Sequence, residues 1–186
     1  RLPGAEVRFV GHRRGEVRTD NGFLGLTVDY LFEEVPAPEI VLVPGGIGTR
    51  ALIDDDAILD WIRTAHQTST FTTSVCTGSL LLAAAGLLDG RRATTHFSAR
   101  ELLTKYGAEP SDQRIVREGK IITAAGVSSG IDMALHLAEL LTDSTTAKAL
   151  QLMIEYDPQP PHDAGALHKV DQTVLARVQE LQRSKN

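Results

Sequence analysis

The chain has a single cysteine, Cys76, so it can neither close an intramolecular disulfide nor supply a paired-cysteine metal site. It has no block of basic residues. With Lys+Arg 19 against Asp+Glu 24, a formal net charge of −5 and a pI near 5.7, it lacks the electrostatic footprint that holds a phosphate backbone, and nucleic acid is not an expected partner. Long apolar runs are missing too: the strongest, residues 80–88, is well short of the roughly 20 residues that span a bilayer and is broken by Gly86, so no membrane partner is expected. No leader of charged, apolar and small residues precedes the first apolar segment, which with the lone cysteine points to a reducing cytoplasm. No HExxH occurs, and His162 and His168 flank Asp163 without an established ligand spacing; they read as solvated loop histidines, and no metal is expected.

What is present suits one substantial core, and a single domain over residues 1–186 is expected, with 42% hydrophobic and 23% charged residues. The chain starts on Arg1 and passes almost at once into apolar residues 7–10, so the strand and helix that usually open a doubly wound sheet are expected upstream of residue 1. Residues 5–10 read as a strand, and 17–28 as a hairpin around Asp20-Asn21-Gly22. The continuous apolar run Ile40-Val41-Leu42-Val43, stopped by Pro44-Gly45-Gly46, predicts a central strand buried on both faces. Asp54-Asp55-Asp56 places acids where a helix's first amides favour them, and Ile58, Leu59, Ile62 and Ala65 carry that helix to about His66.

Residues 71–75 suit a strand, and 78–88 are apolar nearly all round, predicting strand, turn at Cys76 and buried helix. Ser98-Ala99-Arg100-Glu101 has capping-box spacing, opening a helix that ends near Gly107. Residues 115–117 and 120–124 read as strands around Glu118-Gly119, followed by a helix over 129–141. Asp157-Pro158-Gln159-Pro160-Pro161 cannot be helical throughout, whereas Val170, Val174, Val178 and Leu181 mark an amphipathic stripe beyond it. This alternation predicts an α/β fold: a flavodoxin-like, doubly wound, mostly parallel sheet with helices on both faces. Ligands are expected at the carboxyl ends of its strands, which carry Gly45-Gly46, Cys76 and Gly126-Val127-Ser128.

Cys76 is the principal candidate, because a strand-to-helix elbow lifts its side chain into the crevice beside the first amides of the following helix, where a thiolate is favoured. Free cysteines are also common packing residues, and position at the elbow is what sets this one apart. The Thr77 hydroxyl can bond a nearby acid or the thiolate, or simply cap the helix. Gly45 and Gly46 can present amides to developing negative charge in the manner of an oxyanion hole, or form a plain turn. His96 can serve as base or hydrogen-bond partner if residues 93–95 lie beside the elbow.

Two rival motifs compete. Gly46-Ile47-Gly48-Thr49-Arg50-Ala51 fits the dinucleotide-binding G-x-G-x-x-G/A pattern, but no Asp or Glu lies between Trp61 and Leu88 to hold a ribose. Gly126-Val127-Ser128-Ser129-Gly130 fits the G-x-S-x-G elbow of serine hydrolases, and its possible partners Asp132 and His136 fall with Glu139 and Asp143 on one helical stripe, most simply a solvated face.

Four anchors together, Val43-Pro44-Gly45-Gly46, Ser74-Val75-Cys76-Thr77-Gly78, Arg92-Ala93-Thr94-Thr95-His96 and the run from Thr123 to Asp132, give a chain that resembles the ThiJ/PfpI group of the class I glutamine amidotransferase-like superfamily over nearly its whole length. The segment Ile154-Glu155-Tyr156-Asp157-Pro158-Gln159-Pro160-Pro161 followed by Asp163-Ala164-Gly165 resembles the isonitrile hydratase branch. Regulators of the AraC type share the domain but continue into a helix-turn-helix region, for which the residues after Gly165 leave no space. The resemblance implies attack by Cys76 on an isonitrile carbon, a thioimidate, and release of an N-substituted formamide by water. Thr77 and nearby amides would steady the intermediate, with no cofactor, a small-molecule substrate and a homodimeric assembly. It also implies an acid that hydrogen-bonds the cysteine, expected upstream of Arg1, so that a chain truly beginning there would be inactive. The alternatives are glyoxalase or deglycase chemistry, and a non-enzymatic oxidation sensor using the same thiolate.

Overall fold

The computed structural model describes residues 2–183. The strand expected over residues 5–10 is confined to β1 (Val10–Gly11), which pairs in parallel with β4 (Tyr30–Leu31) after the hairpin of β2 (Gly15–Arg18) and β3 (Gly25–Val28). Its apolar residues bury too little to extend the ladder: Val7 is 77% exposed and Phe9 47%. The hairpin turn lies where Asp20-Asn21-Gly22 placed it, with Gly22 at φ 73° and the Thr19 amide donating to the Leu24 carbonyl at 2.9 Å.

Then come β5 (Ile40–Val43), α1 (Asp56–Thr68), β6 (Phe71–Val75), α2 (Gly78–Ala84), β7 (Arg92–Ala93), α3 (Arg100–Lys105), β8 (Glu109–Pro110), β9 (Ile115–Glu118), β10 (Ile121–Ala124), α4 (Ser129–Leu141), α5 (Ser144–Met153) and α6 (Gln172–Arg183). Among the described residues the main sheet has the order β5-β6-β10-β9, parallel except for β9, with β7 and β8 forming a short parallel pair beside it. Helices cover both faces: Val41, Val43 and Ile121 pack with residues of α1, α2 and α3 on one side, while Phe71, Ile122 and Ala124 pack with Met133 of α4 on the other. This is the flavodoxin-like arrangement the alternation predicts.

The composition of β5 suggests a central strand buried on both faces; among the described residues it is an edge, and Leu42 is 52% exposed. β6 is interior, and there Thr72, Thr73 and Ser74 are fully buried. Two of these hydroxyls find partners: Thr73 Oγ1 donates to the Val41 carbonyl at 2.9 Å, and Thr72 Oγ1 lies 2.8 Å from His66 Nδ1.

The helix boundaries follow their local chemistry. Asp55 caps α1, accepting from the Ala57 and Ile58 amides at 3.1 and 3.3 Å, and Leu59, Ile62 and Ala65 face the core as their spacing predicts. α2 stops at Ala84 rather than running to residue 88, since Gly86 turns the chain at φ 80°. Leu88 is nonetheless fully buried. The capping box at Ser98 does not form: residues 97–99 are a 3₁₀ turn, α3 begins at Arg100 without a side-chain cap, and the Ser98 hydroxyl lies 2.8 Å from His96 Nδ1 instead. Asp143 is not on α4 but caps α5, and α6 carries its amphipathic stripe with Val174 42% exposed.

Gly78, the first residue of α2, has no space for a side chain: a Cβ there would fall 2.1 Å from the Val43 carbonyl oxygen and 2.8 Å from that of Pro44. Gly78→Ala must push α2 off β5, and is expected to cost about 3 kcal/mol in urea unfolding. Gly48→Ala, where a Cβ meets nothing within 4 Å, is expected to stay within about 0.5 kcal/mol of the parent.

Candidate active site

β6 delivers Cys76 to the carboxyl end of the sheet, and the backbone there reverses sharply. Cys76 has φ 57°, in the left-handed region that costs a residue with a Cβ roughly 1–2 kcal/mol. Its amide is aimed at the Ala124 and Ala125 carbonyls, at 3.0 and 2.8 Å, so the neighbouring strand's end grips it. Its carbonyl accepts from Thr95 Oγ1 at 3.0 Å and Ser79 Oγ at 3.1 Å. The side chain is half-buried. This is the strand-to-helix elbow at Cys76 expected from the sequence, and the two hydroxyls that hold its carbonyl are what sequence reasoning missed. Thr95 lay within the quoted Arg92-to-His96 anchor, yet nothing in its spacing revealed its partner.

Gly45 packs directly under the elbow. A Cβ on it would meet Cys76 Cβ at 2.7 Å, the Thr77 nitrogen at 2.8 Å and the Val75 carbonyl oxygen at 2.9 Å. Gly46, at φ 145°, turns the chain into the 3₁₀ segment Ile47–Ala51. Thr77 is buried, and its hydroxyl is engaged with Gly46 rather than with an acid or the thiol: Oγ1 is 3.0 Å from both the Gly46 amide and the Gly46 carbonyl. The Gly46 amide, one of the two anticipated for an oxyanion hole, is therefore already directed at Thr77. Among the described residues no carboxylate hydrogen-bonds the Cys76 sulfur.

His96 stands beside the site. Residues 93–95 do lie against the elbow, through the Thr95 contact, and the His96 ring faces Gly126, where a Cβ would sit 3.6 Å from His96 Cδ2. Its Nδ1 lies 2.8 Å from Ser98 Oγ and accepts from the Ser98 amide at 3.4 Å, contacts that involve Nδ1 and not Nε2. Burial, and then the Arg50 guanidinium, push His96 below the ordinary imidazole value of 6.5.

The rivals fare differently. The 46–51 segment forms a single 3₁₀ turn and not the α-helix start that seats a pyrophosphate. Ser128 enters α4 at φ −68°, an ordinary helical approach with none of the elbow's reversal. Asp132 is no free member of a solvated stripe: Arg114 Nε donates to its Oδ2 at 2.6 Å and the Tyr156 hydroxyl to its Oδ1 at 2.7 Å, so it is not oriented on His136. The Asp132 carboxylate in turn pushes the Tyr156 phenol up. Among the described residues no group of three or more His, Cys, Asp or Glu side chains gathers as a metal site; His162 and His168 are exposed, and Asp163 pairs with Lys169.

Two measurements test this geometry. Cys76→Gly and Cys76→Ala delete the same thiol, but only glycine relieves the torsion; after the larger backbone entropy of an unfolded glycine, Cys76→Gly is expected to be about 0.5–1 kcal/mol more stable than Cys76→Ala in denaturant unfolding. Because folded His96 and His66 both titrate below the ordinary 6.5, the unfolded chain binds more protons just under that pH. Stability is therefore expected to be fully present above about pH 6.5 and to fall as pH drops below it, with a shallower slope in His96→Gln.

Residues 2–140 match the DJ-1/PfpI family. The chain is 44% identical over 165 residues to the isonitrile hydratase of Pseudomonas putida, covering 89% of this chain and 72% of that protein. A solved ThiJ/PfpI family protein from Pseudomonas syringae superimposes with a TM-score of 0.92 at 37% identity, covering 98% of this chain and 76% of that one. A glutathione-independent glyoxalase of Caenorhabditis elegans is 26% identical over 140 residues, covering 74% of each. The cysteine elbow thus sits in a fold and a sequence shared along most of the chain with these proteins, and the chain belongs to the DJ-1/PfpI family.

Proposed function

We propose that the protein is a cysteine-dependent hydratase that converts an isonitrile and water to an N-substituted formamide. The observation that carries this reading is the half-buried Cys76 held at φ 57° at the carboxyl edge of the sheet. It is supported by the 44% identity to an isonitrile hydratase.

In the reading, Cys76 Sγ forms a bond to the terminal isonitrile carbon, and that carbon takes up a proton to give the thioimidate R–N=CH–S. Water adds to the same carbon while the nitrogen is protonated, and the C–S bond breaks. The formamide leaves and the thiol is restored, so atoms balance without a redox partner. The first step concentrates negative charge on carbon, and the addition of water concentrates it on nitrogen. His96, beside Gly126, is the donor that meets that charge, and the backbone around Gly45 and Thr77 supplies amides for it. Thr77 acts by fixing Gly46, to which its hydroxyl is bound.

Glyoxalase chemistry is the second reading, favoured by the 26% identity to a glyoxalase over 74% of each chain. It uses the same thiolate on a carbonyl carbon. A homodimeric assembly and a cytoplasmic setting belong to the first reading; no helix among the described residues is long and apolar enough to cross a membrane.

The protein is incubated in parallel with cyclohexyl isocyanide and with methylglyoxal, following formamide and lactate. Formamide release that falls by about a thousandfold or more in Cys76→Ala, and changes less than about threefold in Ser128→Ala, is the expected result. Lactate alone would move the assignment to the second reading, and loss confined to the serine variant would overturn both.

A further inference from the structure

We propose that Asp132 and Tyr156 are positioning residues for Cys76, coupling the segment after α5 to the nucleophile through hydrogen bonds relayed by Arg114 and Ala125. The Tyr156 hydroxyl donates to Asp132 Oδ1 at 2.7 Å, and Arg114 Nε donates to Asp132 Oδ2 at 2.6 Å. The Arg114 carbonyl accepts the Ala125 amide at 2.9 Å, and the Ala125 carbonyl accepts the Cys76 amide at 2.8 Å. These contacts meet at Ala125, the residue that follows β10, whose amide is held by Arg114 and whose carbonyl holds the left-handed Cys76.

The geometry assigns a direction to the coupling. Arg114 immediately precedes β9 and its side chain is half in solvent, at 52% exposure, so by itself it has no fixed position. The carboxylate on the first turn of α4, only 28% exposed, fixes the guanidinium from one side, and the phenol takes that carboxylate's other oxygen. Tyr156 is itself anchored, because Gln151 Nε2 donates to its carbonyl at 2.9 Å and its amide donates to the Gln151 carbonyl at 3.1 Å, after Glu155 has turned the chain at φ 49°. A second, longer contact from Arg114 to Ser128 Oγ at 3.4 Å ties the same guanidinium to the loop in which Gly126 faces His96. An ion pair this exposed adds little to global stability, so its loss should leave a folded protein with a displaced Ala125. A displacement of an ångström at a nucleophile is enough to slow its chemistry, whatever the substrate.

The inference rests on Cys76 being the reacting group, and its test separates the two. Because Cys76 is the sole cysteine, its alkylation by iodoacetamide across pH 6–10 reports its reactivity in the intact protein without any assumption about substrate. Asp132→Ala is expected to change the alkylation rate by about fivefold and displace its pH profile, and to lower kcat for cyclohexyl isocyanide about tenfold with KM nearly unchanged. Asp132→Asn, which keeps one acceptor oxygen and replaces the other with an amide donor, is expected to recover some of each. Tyr156→Phe removes one oxygen and is expected to produce a smaller shift, of about twofold, that adds nothing further in the Asp132→Ala background. Should Asp132→Ala fail to fold, Tyr156→Phe alone decides. Wild-type alkylation rate and pH profile in a folded Asp132→Ala or Tyr156→Phe would overturn the proposal. Absence of hydratase activity in the parent, with the alkylation shifts intact, would instead overturn the assigned function and leave the positioning role standing.

Discussion

The left-handed torsion at Cys76 is the constraint around which the crevice is organised. Taken alone it is unfavourable by roughly 1–2 kcal/mol for a residue with a Cβ. It persists because both polar groups of the residue are engaged: the amide faces the Ala124 and Ala125 carbonyls, and the carbonyl accepts two buried hydroxyls, from Thr95 and Ser79. A net hydrogen bond contributes about 0.5–1.5 kcal/mol, so three or four such contacts exceed the torsional cost. The elbow therefore depends on residues from β10, from the segment after β7, and from α2.

That dependence reaches into the composition of the neighbours. Reversal at Cys76 brings the start of α2 onto the end of β5, and the approach is so close that residues 45 and 78 must both be glycine: side chains there would lie 2.7 Å from Cys76 Cβ and 2.1 Å from the Val43 carbonyl oxygen. Two threonines in and around β6 meet this crowding directly. A buried hydroxyl is small, and it can satisfy a backbone carbonyl, as Thr73 does for Val41 and Thr95 for Cys76.

Much of this was legible in sequence because it is written locally. β6, α4, the Gly119 turn between β9 and β10 and the Asp55 cap of α1 all depend on residues within a few positions of one another, and their boundaries agree with the structure. The elbow was legible for the same reason: a strand-forming run, one cysteine, then a glycine and an apolar stretch. What was misread depends on contacts that the local pattern does not show. Leu42 reads as a core residue, but among the described residues its strand is the edge of the sheet and the side chain is exposed. Ser98 has the right spacing for a capping box, but the His96 ring competes for its hydroxyl and the backbone takes a 3₁₀ turn. Asp132 fits a solvated stripe until Arg114 and Tyr156, from other parts of the chain, close on it.

The competition between two elbow motifs shows how much a torsion adds to a pattern. Gly126-Val127-Ser128-Ser129-Gly130 has the residue types of a serine hydrolase elbow and joins a strand to a helix, as Val75-Cys76-Thr77-Gly78 does. Yet the elbow motif presents its residue by a sharp backbone turn there, whereas in an ordinary helical approach the side chain points back along the preceding turn. Ser128 has φ −68° and its neighbour Ser129 bonds back to the Gly126 carbonyl, the geometry of a helix start. Cys76 has φ 57° and no such return. Gly130 serves a different purpose there: a Cβ on it would lie 3.1 Å from a Val75 methyl, so this glycine of the serine motif lets α4 approach the strand that leads to the cysteine. One motif is thus part of the support for the other.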